Sequence, residues 1–164
     1  MSLKQEIWKY VKLIIAGIAA GLLLRFVLQI CVVSGSSMYP TLEDTNKFVG
    51  INTIFTKLER GDIVTIDMTS KGYGARELLV KRIIAVPGDH IKIVNRSVYL
   101  NDELLEEDYI NPDYKYQAMG VVEYKLKDNQ YFVMGDNRGN STDSRFFGPV
   151  DKNDILLEYF FPLF

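Results

Sequence analysis

The pattern of apolar and polar positions splits the chain in two. Residues 11–33 are apolar apart from Lys12, Arg25, Gln29 and a few small residues. At about 1.5 Å per helical residue this run reaches roughly 34 Å, enough to cross a bilayer with some tilt. Beyond it come short alternating stretches separated by turn residues. Lys47–Ile51, Ile63–Asp67, Leu78–Val86, Tyr131–Met134 and the pair Ile91–Val94 and Ser97–Leu100 read as strands. Residues 43–46, 58–62, Pro87-Gly88-Asp89, Asn95-Arg96 and Asn101-Asp102 read as the turns between them. Residues 68–76, with Gly72 and Gly74, form a loop, and residues 103–130, polar with Tyr109, Tyr114, Tyr116 and Tyr124 scattered through them, give loop plus short strand. The apolar tail, residues 155–164, is too short to span a bilayer. It reads as a closing strand followed by an aromatic patch against a membrane, or as simple core packing. The fold class is therefore mainly β, with a cytoplasmic stretch 1–10, a transmembrane helix 11–33 and one antiparallel β domain, 34–164.

Lys4, Lys9 and Lys12 precede or open the apolar run, whereas Glu43 and Asp44 follow it. The positive-inside rule then puts the N-terminus in the cytoplasm and the β domain on the outer face of the cell membrane, as a single-pass protein. Arg25 is costly at mid-bilayer but close enough to the outer face to snorkel to the headgroups. A cleaved signal peptide would need a small-x-small site after the apolar stretch, and 25–33 holds none. Leu28-Gln29-Ile30-Cys31 has a bulky Ile where a lipoprotein box needs a small residue. An uncleaved anchor follows, with Cys31 a lipid-facing or packed side chain.

Composition narrows the chemistry. At 164 residues there is room for one domain, and a net charge of -2 leaves no basic footprint for nucleic acid. Ten Tyr and nine Phe fit a folded, strand-rich domain. Cys31 and His90 are the single cysteine and histidine, so no intrachain disulfide forms, a transition-metal cage is hard to build, and no metal or cofactor is expected. Chemistry must use other groups.

Two segments offer them. Ser34-Gly35-Ser36-Ser37-Met38-Tyr39-Pro40-Thr41-Leu42 is hydroxyl-rich and is anchored by Met38, Pro40 and Leu42. It is a positioned nucleophile in search of a base, or a plain Ser/Gly linker. In Leu78–Val86 two adjacent cations interrupt an apolar strand. Alternation puts Leu79, Lys81 and Ile83 on one face and Val80, Arg82 and Ile84 on the other. A lysine desolvated there loses its proton more readily and becomes a general base for a nearby serine; the alternative is an edge strand that uses both charges against aggregation. A Ser/His/Asp triad would have to use His90, with Asp89, on a turn better suited to solvent exposure. A third segment, Gly135 to Gly148, packs two Asp, two Arg and two Ser between glycines, suited to holding a buried polar site rigid, and its arginines oppose a calcium-like role.

Taken in order, Ser34–Leu42 after a single anchor, Arg60-Gly61-Asp62-Ile63-Val64, Val80–Ile84 with Pro87-Gly88-Asp89, and Gly135–Gly148 resemble type I signal peptidase, the membrane-anchored Ser/Lys protease that removes signal peptides from exported preproteins, in its short Gram-positive form. The resemblance implies an antiparallel β catalytic domain of signal-peptidase type. It implies that Ser37 is the nucleophile, Lys81 the base and Ser141 the hydroxyl that orients the Lys81 amine. Asp143 and Arg145 would pair beneath it, with Asp136 facing Arg82. The oxyanion hole would be the Ser37 N–H and a donor two positions earlier, where this chain has Gly35; a backbone group or Ser36 would substitute. Substrate would bind as an added strand, its small residues entering shallow pockets walled by Val33, Met38, Leu42 and Val80. The partners implied are secretory preproteins and the lipid bilayer.

Two other readings compete. A non-catalytic relative that binds surface-protein precursors should have lost Ser37 or Lys81, and this chain has both. A self-cleaving Ser/Lys regulator would carry DNA- or partner-binding sequence in place of an anchor.

Overall fold

The computed structural model describes residues 3–72, 77–110 and 120–163. Gly74, Arg76, Tyr114, Tyr116 and Phe164 lie outside the described residues. The first element is helix α1, Leu3–Val27, 25 residues with none buried against the rest of the chain, long and apolar enough to cross a membrane. Arg25 in its last turn complements the negative end of the helix dipole. The helix starts earlier and stops earlier than the hydropathy of 11–33 predicts. Leu28–Val32 is strand β1, paired residue for residue with β2, Lys47–Asn52, from Leu28 opposite Ile51 to Val32 opposite Lys47. An aliphatic run has the same hydropathy in a membrane helix and in a strand, and here a partner strand decides.

The other strands are β3 (Ile63–Asp67), β4 (Leu78–Ala85), β5 (His90–Val94), β6 (Ser97–Leu100), β7 (Glu103–Leu104), β8 (Val122–Lys125), β9 (Gln130–Met134), β10 (Val150–Asp151) and β11 (Ile155–Leu163); a one-turn helix α2, Ser144–Phe147, sits between β9 and β10. They form two antiparallel sheets. The larger runs β1-β2-β11-β3-β4-β9-β10, the smaller β7-β6-β5-β8. The tail is thus an interior strand of the larger sheet rather than a short closing one. Its first half lies between β2 and β3, its second half pairs with β2 alone, and Pro162 falls in that second half, where its missing N–H breaks no ladder on the open side. Phe160 and Phe161 remain exposed, whereas Tyr159 packs on Phe48 with ring centroids 5.2 Å apart.

The turns around β6 need positive φ at both central residues. Asn95 and Arg96 have φ 50° and 72°, Asn101 and Asp102 have 54° and 69°. These are the mirror-image turns whose twist matches tight hairpins. Asp89 ties this arm to the larger sheet. It is buried, accepts from Arg60 Nε at 2.9 Å and from the Val86 N–H at 2.9 Å, and is held by Asn101. The Arg60-Gly61-Asp62 and Pro87-Gly88-Asp89 motifs are joined by that contact.

Three apolar clusters fill the interior. One gathers Val64, Ile66, Ile83, Val133 and Ile155 within the larger sheet's curl. A second joins Ile84, Phe132 and Met134 of the larger sheet to Ile91, Ile93 and Val98 of the smaller. The third, Val33, Met38, Leu42, Phe48 and Ile63, underlies the loop after β1. The predicted alternation of β4 appears here, since Leu79 and Ile83 share the first cluster while Val80 and Ile84 serve the other two.

Candidate active site

The serine loop is tied at its base. The Val33 N–H donates to the Asn46 carbonyl at 2.8 Å, the Thr45 N–H to the Val33 carbonyl at 2.9 Å, and the Gly35 N–H to Asp44 Oδ1 at 2.8 Å. Gly35 has φ +88°, which favours glycine there. One helical turn follows, closed by the Leu42 N–H on the Met38 carbonyl at 3.0 Å, and Met38 and Leu42 anchor it in the third cluster. Ser37 is left half-buried, a hydroxyl that is fixed yet reachable.

The loop after β9 holds it from the other side. Asn137 donates its N–H to the Ser37 carbonyl and its side-chain amide to the Ser36 carbonyl, both at 3.0 Å, and Asn140 Nδ2 donates to Ser36 Oγ at 2.9 Å. Neither asparagine was singled out from the sequence, where the only signal was the density of polar side chains. Gly135 lies so close that an added Cβ would fall 2.4 Å from the Ser37 carbonyl oxygen and 2.3 Å from Ser141 Oγ.

Lys81, 2% exposed, comes from the middle of β4 opposite Val64. Its Nζ donates to Ser37 Oγ at 2.8 Å and to the Val80 carbonyl at 2.9 Å. Burial lowers its pKa from the ordinary 10.5 to about 8; the charge of Asp143 opposes this, Arg145 adds to it and Asp136 opposes it. The edge-strand alternative fails for Lys81, because β4 is an interior strand between β3 and β9.

The expected pairs are present. Arg145 donates to Asp143 through Nε and Nη2, each at 2.8 Å, and Asp143 also accepts the Gly135 N–H at 3.0 Å. Arg82 grips Asp136 through Nε at 2.9 Å and Nη2 at 2.6 Å, and Thr41 Oγ1 donates to the same carboxylate at 2.5 Å. Three expectations need correcting. Ser141 is buried beside Gly135, but its Oγ makes no hydrogen bond among the described residues; the Lys81 amine donates to Ser37 Oγ and to the Val80 carbonyl instead. The Gly35 N–H is already spent on Asp44 and is closed to an oxyanion. Leu42 does not line the cleft at Ser37. It borders a separate depression with Lys47 and Pro162, because its side chain turns down into the cluster with Phe48.

The cleft itself is about 330 Å³, with Ser37 and Lys81 in its lining, and runs between β1 and β4. Val33, Met38 and Val80 line it. Cys31 lines it too, since β1 is a strand of the domain and not the end of a membrane helix. His90 is elsewhere. On the smaller sheet its Nε2 meets Glu123 at 2.9 Å, and its Nδ1 lies 3.5 Å from Asp102.

A buried amine against a reachable serine, in an apolar cleft between strands, is an arrangement for hydrolysis through a covalent intermediate. The family described as signal peptidase, peptidase S26, matches residues 7–164. Signal peptidase I S of Bacillus subtilis (strain 168) is 36% identical over 156 residues, covering 88% of this chain and 82% of that protein. Signal peptidase I of Bacillus licheniformis is 35% identical over 163 residues, covering 93% and 86%. A crystal structure of a signal peptidase I from Enterococcus faecalis V583 aligns with a TM-score of 0.49 at 26% identity, covering 61% of this chain and 94% of that one. The chain belongs to the signal peptidase, peptidase S26, family. It is a serine peptidase of the membrane-associated machinery that removes signal peptides from preproteins.

Proposed function

We propose that this peptidase works through a Ser37/Lys81 dyad and cuts preproteins after small residues. The observation that carries the reading is the 2.8 Å contact between the Lys81 amine, buried and depressed toward neutrality, and Ser37 Oγ. Neutral Lys81 takes the Ser37 proton as Oγ attacks the scissile carbonyl, then passes it to the departing amine. The acyl-enzyme that remains is opened by water, which Lys81 deprotonates in turn. The oxyanion is met by the Ser37 N–H and by the Ser36 hydroxyl, whose oxygen accepts from Asn140 and whose own hydrogen is thereby left to donate. The Asp143–Arg145 and Asp136–Arg82 pairs keep the loop after β9 rigid.

Substrate lies extended between β1 and β4, with small side chains against Val33, Met38 and Val80. With Lys4, Lys9 and Lys12 on the cytoplasmic side, α1 crosses once and the β domain works on the outer face. The test is cleavage of a secretory preprotein by the full-length protein in detergent or lipid, beside Ser37→Ala, Lys81→Ala and His90→Ala variants checked for folding. The reading requires cutting after a small residue, two dead variants and an active His90→Ala; a dead His90→Ala beside an active Lys81→Ala overturns it.

A further inference from the structure

After β7 the chain leaves the smaller sheet and runs onto the catalytic loop. Leu105 is fixed to that sheet, its N–H on the Val98 carbonyl at 2.8 Å and its side chain, like that of Tyr109, against the second cluster. Two residues later Glu107 reaches Arg138, whose Nη1 donates to Glu107 Oε2 at 2.6 Å and whose Nη2 donates to Oε1. The side chains are 6% and 1% exposed. Tyr109 completes the contact. Its hydroxyl donates to Glu107 Oε1 at 2.7 Å, and its ring lies 4.1 Å from the Arg82 guanidinium carbon and 5.9 Å from that of Arg138.

The two arginines grip consecutive residues. Arg138 Nε donates to the Gly135 carbonyl at 3.1 Å, and Arg82 holds the Asp136 carboxylate. Gly135 in turn abuts the Ser37 carbonyl, which accepts from the next residue but one, Asn137. A buried ion pair contributes little net stability compared with an apolar pair of similar volume, and its best-attested use is to fix one register. The register fixed here is that of residues 135–137 against Ser37.

We propose that Glu107 and Tyr109 are positioning residues for the dyad, an arm of the smaller sheet that sets the loop after β9 against Ser37 through Arg138 and Arg82. This rests on the Ser37/Lys81 reading. The arm does not act on the amine by its own charge. The charges that do are Asp143, Arg145 and Asp136, all from the catalytic loop, and the amine otherwise faces the Ser37 hydroxyl and the Val80 carbonyl. Loosening the arm lets the loop withdraw and water reach Lys81.

The test compares preprotein cleavage in detergent across pH for the parent, Ser37→Ala, Glu107→Gln, Tyr109→Phe, the double variant Glu107→Met with Arg138→Met, and Ile93→Ala as a destabilised control in the smaller sheet. Misplacement of the dyad predicts that Glu107→Gln loses about 10- to 100-fold in kcat, with KM changed less than about threefold. Its acidic limb should move upward by roughly half a pH unit or more as the amine is rehydrated. Tyr109→Phe, which keeps its ring over Arg82, should lose less. The double methionine variant should regain thermal stability without regaining kcat, and Ile93→Ala should melt lower with the parental pH limb. Parental kcat and pH limb in Glu107→Gln or in the double variant, with Ser37→Ala dead, overturn the positioning role alone. Cleavage surviving in Ser37→Ala overturns the dyad and this inference with it.

Discussion

The Lys81 amine and the Ser37 hydroxyl share one hydrogen bond of 2.8 Å, and only a neutral amine can use it to withdraw the serine proton. Burial puts the amine's pKa near 8. The neutral fraction grows as pH rises through that value, so kcat/KM, which reports the free enzyme, should climb along a single limb with its midpoint near pH 8 and fall about tenfold per pH unit well below it. A pH–rate profile on a preprotein checks this, and half-maximal activity below about pH 5 rejects the lysine base.

The same burial makes Lys81 a liability for folding. Its folded pKa lies below its unfolded one, so between about 8 and 10.5 the unfolded chain holds a proton that the folded chain lacks, and stability rises with pH across that window. Below it the cost is fully present, at most roughly 3 kcal/mol at 1.36 kcal/mol per tenfold. Lys81→Met should therefore be inactive yet unfold at higher urea than the parent at pH 7, with the advantage shrinking toward pH 10. Equal or lower midpoints at pH 7 would mean that burial of the amine costs the fold nothing.

Ser36 offers a separable contribution. Loss of one oxyanion donor typically costs about 10²- to 10³-fold in kcat. Ser36→Ala should show a loss of that order with KM and unfolding midpoint close to parental, since the residue is exposed and its hydroxyl is held by the Asn140 amide. Asn140→Ala, which removes the group that orients the hydroxyl, should fall between the two. Steady-state kinetics with full-length protein decide it.

Gly135→Ala tests the tightness of the catalytic wall. The added methyl would meet Ser141 Oγ and the Ser37 carbonyl well inside contact distance, and the backbone there is held by Asp143 on its N–H and Arg138 on its carbonyl. Overpacking of this kind costs about 1–3 kcal/mol. We expect a lower unfolding midpoint and at least about a hundredfold loss of kcat, because the displaced atom belongs to the nucleophile's own residue. A fully active, equally stable variant would show that the loop gives way easily.

Much of this was readable from residue order. Ile63–Asp67 is a strand over the span its alternation predicts, and Lys81 stood out because a cation amid Leu79 and Ile83 has no comfortable surface position. The two Asp–Arg pairs followed from family likeness. What was hidden depended on partners distant in the chain. Residues 28–32 are as apolar as the helix before them, and only pairing with β2 makes them a strand. Glu107 and Tyr109 sit in a stretch without a motif, and their role arises from Arg138 and Arg82, roughly 30 residues away on either side. Leu42 was misplaced for a similar reason, since a loop's side chains point where the cluster beneath them has room.

Val27 ends the helix and Leu28 opens the strand, with no residue between them. The strand that walls the cleft is covalently continuous with the helix that is long and apolar enough to cross a membrane.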